Sequence, residues 1–549
     1  MVRRWNGWGD DNIEFALNED ALQFLRERIG AGTVPQDASF EQACSGLPQS
    51  RLKPHRLIDT SPQVRLRNGL GQSMQDWLRL RYGVPGNLPD GVAFPESSEQ
   101  VRELLDYAAR HDVAVIPYGG GTSVVGHLSA PEGERPVLTV NLSRLSRLID
   151  LDTEAQLATF GAGVAGPDLE AQLRAQGYTL GHFPQSFEYS TLGGWVVTRS
   201  SGQQSLRYGR IEQLFAGGRL ETPGGTLRIP TFPASAAGTD LREVVLGSEG
   251  RIGILTEAAV RISRLPQYEA FHAVFFPSWV EAETALREIS QARLPLSMLR
   301  LSNPVETLTT LRLAGHKTLI GLLERYLRVR GCGHNKCLLL VGVSGDPAPS
   351  RLALAAALRI ARGQGGVHAG EAIGRKWKAN RFRNVYLRNS LWSNGYAVDT
   401  VETAVEWPKV WNTMCSVEQA AGRALREDGE DGERLHTYTH LSHVYPQGAS
   451  VYTTFVYRLA GSFDKDLARW RRLKAAVSEA IVAAGGTISH QHGVGADHAP
   501  YLPAEKGEIG TGAMRQLFQH FDPQGLMNPG KLVDADNEEA SSHVARKLA

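Results

Sequence analysis

The segment Ser489-His-Gln-His-Gly-Val-Gly495 places two imidazoles, His490 and His492, two residues apart in a glycine-bounded loop. In an extended segment residues i and i+2 share one face, so both rings are expected to address the same ligand. A lone buried histidine is usually bonded to backbone, whereas a cluster points toward proton transfer or anion binding. A second group lies upstream in His443-Val-Tyr-Pro-Gln-Gly-Ala-Ser-Val-Tyr452, which sets another imidazole and two phenols on either side of a turn.

Three glycine-containing segments suggest a different task. Pro117-Tyr-Gly-Gly-Gly-Thr-Ser-Val-Val-Gly126 follows the buried-strand pattern Val113-Ala-Val-Ile116. Consecutive glycines let the backbone approach a ligand without Cβ interference and aim N–H groups at a pyrophosphate, while Thr122 and Ser123 add hydroxyls. The spacing is neither Gly-Lys-Ser/Thr nor Gly-x-Gly-x-x-Gly opening a helix, so the ATPase and NAD readings lose ground and a ligand-free tight turn stays open. Pro184-Gln-Ser-Phe-Glu-Tyr-Ser-Thr-Leu-Gly-Gly-Trp-Val-Val-Thr-Arg-Ser-Ser-Gly202 and Leu246-Gly-Ser-Glu-Gly-Arg-Ile-Gly-Ile-Leu-Thr-Glu257 repeat the pattern of small residues and hydroxyls between apolar stretches.

The elements that must position these groups follow from periodicity. From Val92 to about Ser263 helices and strands alternate, which argues an α/β arrangement. Ser97 with Gln100 predicts a capping box, and Val101, Leu104, Leu105 and Ala108 give the following helix one apolar face. Strands are predicted at 113–116, 138–142, 158–163 and 252–262, with a helix at 167–176. Past Pro266, helices at 279–292 and 351–362 and a strand at 337–343 indicate a second α/β domain. A helix at 464–484 carries Leu467, Trp470, Val477 and Ile481 on one face and stops at Gly485-Gly486. Another helix, 20–29, falls in a tryptophan-containing N-terminal segment. The acidic run Glu427-Asp-Gly-Glu-Asp-Gly-Glu433 reads as a solvated, flexible turn.

Composition bounds the function. At 549 residues the chain exceeds one hydrophobic core, so two or three domains are expected. Lys+Arg 59 against Asp+Glu 58 removes a general electrostatic case for nucleic acid. Four cysteines, Cys44, Cys332, Cys337 and Cys415, are too few and scattered for a disulfide framework and suit a reducing compartment. Cys332-Gly-His-Asn-Lys-Cys337 has no second Cys/His pair at zinc spacing and reads as a surface loop, so no metal is assigned. No apolar run of about 18 residues predicts a spanning helix. Arg3-Arg4 lacks a following apolar stretch, and the terminal Arg-Lys-Leu-Ala is not the Ser-Lys-Leu address. A soluble, cytoplasmic protein touching membranes peripherally is expected, without internal repeats.

Taken together and in order, the three glycine segments resemble the FAD-binding domain of the vanillyl-alcohol oxidase and p-cresol methylhydroxylase superfamily. The resemblance implies an α/β (α+β) fold: a two-part FAD-binding domain with an α/β cap and accessory helices. The implied division is an N-terminal accessory segment 1–85, FAD-binding domain 86–266, substrate or cap domain 267–456, and a C-terminal helical segment 457–549. Residues Pro117, Tyr118, Gly119, Gly120, Gly121, Thr122 and Ser123 would hold the pyrophosphate. The flavin and ribityl chain would meet Pro184, Gln185, Ser186, Phe187, Glu188, Tyr189, Ser190, Thr198, Arg199, Ser200 and Ser201, and the adenosine side Glu249, Gly250, Arg251, Ile252, Gly253 and Ile254.

From Trp5 to about Leu532 the chain is similar to one branch, the alkyldihydroxyacetonephosphate synthases. That resemblance implies exchange of the acyl group of acyl-dihydroxyacetone phosphate for a long-chain alcohol, without net oxidation, by an enzyme that tends to form homodimers and holds FAD noncovalently. His127 is the nearby candidate should the FAD be covalent. The family's proton-moving tyrosine falls on Tyr452, its substrate-binding arginine on Arg388 and a further required arginine on Arg300. His490 and His492 match two of three successive family histidines, and Gln491 replaces the central one, which cannot then titrate. His443 and Gln491 join the expected substrate contacts. A phenol acting as base near neutrality needs its anion favoured by about three pKa units, roughly 4 kcal/mol, and nearby arginine charge is the expected source. The alternatives for the arginines are surface ion pairs. For the whole chain they are an FAD-linked 2-hydroxy-acid oxidase or dehydrogenase, or a flavin-binding scaffold without catalysis.

Overall fold

The computed structural model describes residues 3–313, 317–426 and 433–533. Its first sheet runs in the order Ile58–Asp59, Gly91–Ala93, Val137–Asn141, Ala114–Tyr118, and the last three strands are parallel. Parallel strands require crossovers, and the helix Ser98–His111 carries the chain from Gly91–Ala93 to Ala114–Tyr118, leaving the place between them for Val137–Asn141. Ser97 Oγ accepts the Gln100 N–H, but the Gln100 side chain accepts from Glu96 N–H, so only half of the expected capping box forms. Both sheet faces are covered, which is why these strands read as continuous apolar runs: Val115, Leu138 and Val140 pack on one side, and Ala114, Ile116 and Val137 on the other. The outer strand is itself covered by residues 526–528. Val115 N–H donates to Leu526 O and Asn528 N–H to Val115 O, both at 2.8 Å. Asp522 caps the Leu526 and Met527 N–H groups at 3.0 and 2.7 Å.

A second, antiparallel sheet orders Leu148–Asp152, Leu157–Gly161, Ile254–Arg261, Phe215–Thr222 and Gly225–Ile229. The helix Gly166–Arg174 buries Leu169 and Leu173 in the core that Phe160, Phe215 and Val260 share.

The third sheet has seven antiparallel strands, ordered Val367–His368, Tyr268–Phe276, Cys337–Gly345, Met298–Ser302, His436–Val444, Gly448–Arg458 and Tyr396–Glu406. Side chains alternate faces along each strand. Leu299, Leu301, Leu339, Val341, Leu441 and Val451 point one way and pack on the helices Trp279–Gln291, Pro347–Gly363 and Trp407–Arg426. Their neighbours in sequence point the other way: Met298, Leu338 and Leu340 pack with Leu323, Leu327 and Trp377, and Arg300, His440 and Tyr452 stand beside them. The helix Pro347–Gly363 starts four residues before the predicted 351 because Pro347 and Pro349 fit a first turn, where a missing N–H costs nothing.

The helix Phe463–Ala483 buries Leu467, Trp470, Val477 and Ile481 as expected and packs against Trp407–Arg426 and Met74–Arg81. The N-terminal segment is tied in by Asn389, which accepts from Trp8 N–H at 3.0 Å and donates to Trp8 O at 2.9 Å. Two expectations need correction. Cys332 and Cys337 are buried, 1% and 0% exposed, and Lys336 is buried with them, so only Gly333 to Asn335 form a surface turn. Of the acidic run, 427–432 lie outside the described residues, and Glu433 is not solvated: it is buried and accepts from Arg458 Nη2 at 2.7 Å.

Candidate active site

The open face of the seven-stranded sheet and the glycine segments enclose one cavity of about 800 Å³. Register explains which side chains reach it. Tyr452 stands opposite Glu402 on one neighbouring strand and opposite His440 on the other, and Ser302 stands opposite His440. Directly opposed residues share a face, as do residues two apart along a strand. Arg300, Ser302, Tyr438, His440, Tyr452, Thr454, Thr400, Leu338 and Leu340 therefore all line the cavity.

On the far wall, Pro117, Tyr118, Gly119, Gly120, Gly121, Thr122 and Ser123 line the same space, with Pro184, Gln185, Ser186, Ser190, Thr198, Ser200, Ser201, Glu249, Gly250 and Gly253. The first two segments pack together so tightly that a Cβ on Gly120 would fall 1.8 Å from the Tyr189 carbonyl oxygen. Gly121 adopts φ +63°, which disfavours other residues. The remaining named residues frame the cavity without lining it. Phe187 stacks on Phe382 with ring centroids 4.8 Å apart, and Tyr189 meets the Tyr386 hydroxyl at 3.2 Å. Glu188 is absent from the wall. Arg199 pairs with Glu243, Arg251 donates to the Met527 and Val533 carbonyls, and Ile252 and Ile254 are core.

This wall suits an extended dinucleotide. Glycines leave the backbone bare, hydroxyls are dense, and Ser201 Oγ and Asn528 Oδ1 are buried without a protein partner. Ser123 Oγ lies 2.7 Å from His127 Nδ1, and His127 Nε2 lies 3.1 Å from a Glu249 oxygen. Glu249 also accepts from Val494 and Gly495 N–H at 2.6 and 2.8 Å, which ties the histidine loop to the glycine wall.

The loop itself departs from the expected extended form. His490 does not line the cavity. Its Nε2 lies 2.7 Å from both Arg210 Nη1 and the Tyr445 hydroxyl, and its ring stands 5.0 Å from that of His443. His443, displaced by a bulge between Leu441 and Val444, points its Nε2 at the Gly202 carbonyl, 3.1 Å away. Gln491 and His492 do face the cavity, with Gln491 Oε1 unpartnered. His492 Nε2 approaches the Tyr452 hydroxyl at 3.5 Å, and that hydroxyl donates to Thr400 Oγ1 at 3.2 Å.

Neither arginine is a surface ion pair. Arg300 Nη2 donates to Glu306 at 2.5 Å and meets His440 Nδ1 at 3.1 Å; the His440 ring stacks on Tyr452 with centroids 4.8 Å apart. Arg388 lies over the Trp77 ring, donates to the Gln72 carbonyl, and keeps Nε and Nη2 without a protein partner. Burial lowers its pKa to about 10, which still leaves a cation near neutrality.

Electrostatics correct one expectation. Burial pushes the Tyr452 phenol up to about 12, Thr400 and Arg300 pull it down, and Glu402 and Asp399 push it further up. Arg300 is paired with Glu306, whose carboxyl is held down at about 2 by His440 and Arg300 despite its burial. The Tyr452 phenol is thus held protonated near neutrality. Burial depresses His492, so its neutral ring can receive a proton. Glu402, His440, Glu306 and Arg210 were not singled out from the sequence as site residues, and Tyr445 entered only as one phenol of the second group. The two-residue spacing of Tyr438 and His440, once paired with Tyr452, was the signal for the second of these.

The residues 89–229 match the family model described as FAD binding domain, and 265–532 match FAD linked oxidases, C-terminal domain. A crystal structure of p-cresol methylhydroxylase with substrate bound superposes with TM-score 0.68 over 96% of this chain and 99% of that one, at 14% identity, a likeness of fold alone. Fold and site define an FAD-linked enzyme of that architecture, and its cofactor is FAD. A solved alkyldihydroxyacetonephosphate synthase superposes with TM-score 0.82 at 26% identity over 96% of this chain and 98% of that one. The alkyldihydroxyacetonephosphate synthase of Dictyostelium discoideum is 31% identical over 98% of this chain and 94% of its own length, and the chain belongs to that family.

Proposed function

We propose that the protein exchanges the acyl group of acyl-dihydroxyacetone phosphate for a long-chain alcohol. The observation that carries this reading is the single cavity joining a dinucleotide wall, the Tyr452–His492 pair and an apolar arm of Leu311, Leu323, Leu338, Leu340, Ile373 and Trp377. A polar head fits between Arg388 and the histidine loop, and a hydrocarbon chain fits the arm. Residues 86–266 would hold FAD, 267–456 the substrate, and 457–549 would return the histidine loop to both.

Gly119 to Ser123 would take the pyrophosphate, and Ser201 and Asn528 would supply buried polar atoms to the cofactor. Bound FAD supplies an electrophilic ring against which the substrate carbon can exchange its oxygen substituent. Arg388 anchors the phosphate through its free N–H groups, as a planar fork can. Tyr452 and His492 move the proton on the carbon bearing the ester and return it. The bond to the acyloxy group breaks, a bond to the alcohol oxygen forms, and the alcohol proton leaves with the fatty acid, so no electrons are transferred overall.

Among the described residues no helix is long and apolar enough to cross a membrane. The helix Lys317–Val329, whose Leu319 and Leu323 line the cavity, leaves Leu319, Leu322, Tyr326 and Val329 largely exposed beside Arg325 and Arg328. An apolar stripe flanked by cations suits an anionic lipid surface, from which both substrates could enter. Peripheral membrane contact by a cytoplasmic homodimer completes the proposal. Loading of anionic vesicles should fall in Leu319→Asp/Leu322→Asp, and light scattering should give twice the chain mass.

The deciding assay supplies palmitoyl-dihydroxyacetone phosphate and labelled hexadecanol to the FAD-loaded protein. Labelled alkyl product with matching fatty acid release is expected. Lasting flavin reduction by 2-hydroxy acids, with no alkyl product, would overturn the reading in favour of an oxidase.

A further inference from the structure

Glu402 does not line the cavity, and its side chain is fully buried, 0% exposed. It nevertheless shapes the cavity's most reactive edge. Its carboxylate accepts from Ser489 Oγ at 2.7 Å and from three successive backbone N–H groups: His490 at 2.6 Å, Gln491 at 3.1 and 3.2 Å, and His492 at 2.9 Å. When consecutive N–H groups converge on one anion the chain curls around it, and the side chains radiate outward. That curl explains why His490 turns to Arg210 and Tyr445 while Gln491 and His492 turn to the cavity. Because Glu402 is paired in register with Tyr452, the loop is fixed to the same point of the sheet that carries the phenol.

We propose that Glu402 is a positioning residue, holding loop 489–492 so that His492 Nε2 meets the Tyr452 hydroxyl and thereby setting the rate of proton movement there without touching substrate. This rests on the reading of Tyr452 and His492 as the proton-moving pair. The charge acts alongside the geometry. Glu402 and Asp399 favour the protonated forms of both groups, Lys474 and His127 oppose protonation of His492, and Arg300 opposes it at Tyr452, with Thr400 as the phenol's acceptor and His440 stacked behind. Removing the Glu402 charge should therefore move the titration of His492 to lower pH.

The test compares the full FAD-loaded chain with Glu402→Gln and Glu402→Asp. Glutamine turns an N–H donor toward three N–H donors; aspartate keeps the charge at shorter reach. Expected are a kcat loss of about 100-fold for Glu402→Gln and about tenfold for Glu402→Asp, with KM and FAD content within about threefold of the parent. The acid limb of the pH–rate profile should shift down in Glu402→Gln. Two readouts do not need turnover: amide hydrogen exchange of 489–492 should accelerate, and the His492 imidazole, followed by NMR, should titrate at lower pH. Parent-like kcat in Glu402→Asp, or parent-like exchange and His492 titration in Glu402→Gln, would overturn the proposal. A kcat loss that merely tracks FAD loss in both variants would also overturn it, leaving a structural role. If the parent makes no alkyl product, the proposed function fails, while exchange and titration still decide whether Glu402 holds the loop.

Discussion

Tyr452 is held protonated at about 12 by burial, so its use as a base depends on a partner that takes its proton, and His492 at 3.5 Å is placed for that. Tyr452→Phe removes one oxygen and leaves the ring stacked on His440. We expect kcat to fall by about 100-fold or more with FAD content unchanged, read by steady-state assay and flavin absorbance. Arg388 tests recognition instead of chemistry. Its planar group lies 4.2 Å over the Trp77 ring, and two of its nitrogens are free. Arg388→Lys keeps a charge but loses both the fork and the stacking. KM for the phosphate ester should rise about tenfold or more with a smaller change in kcat.

At the scale of elements, Gly120→Ala puts a methyl 1.8 Å from a backbone oxygen that cannot rotate aside. The glycine wall must open, and the variant should purify without bound flavin. The seven-stranded sheet offers a paired test. Leu301, 0% exposed among the covering helices, should cost about 2–5 kcal/mol as alanine, read as a lower melting temperature. Ser302→Ala, one residue on and facing the cavity, should melt nearly as the parent does. These elements show what the sequence made legible. Strands 113–116 and 138–142 were visible because parallel strands covered on both faces become apolar runs, and the glycine segments because backbone approach demands glycine. His490 was misjudged because the two-residue rule presumes an extended chain, whereas a buried carboxylate from a strand 88 residues away curls this loop. The Glu306–Arg300–His440 cluster was hidden for the same reason: it depends on register between strands that sequence spacing does not reveal. Gln100 missed half its box because Glu96, one residue earlier, offered its N–H.

For the whole molecule, acid should loosen the structure before it affects the carboxylates. His182 and His443 are buried neutral, each depressed to about 3 by desolvation with Arg210 nearby. Above the ordinary 6.5 neither contributes a penalty; as pH falls below it the unfolded chain binds protons that the folded chain refuses. The loss is about 2 kcal/mol per histidine at pH 5, and it grows until about pH 3. Glu306, held down at about 2, adds stability above its ordinary 4.5 that disappears only as pH falls toward 2. A melting series should thus decline through pH 6 to 5, and His443→Gln should flatten that decline. The strand contact made by Leu526 and Asn528 on Val115 has a consequence in time. The first sheet, complete at Asn141, waits with an open edge until Leu526, while nearly four hundred further residues are synthesised. A growing chain is therefore exposed to wrong strand partners throughout translation. Chains interrupted before Leu526 lack this cover and should accumulate as flavin-poor, aggregation-prone species.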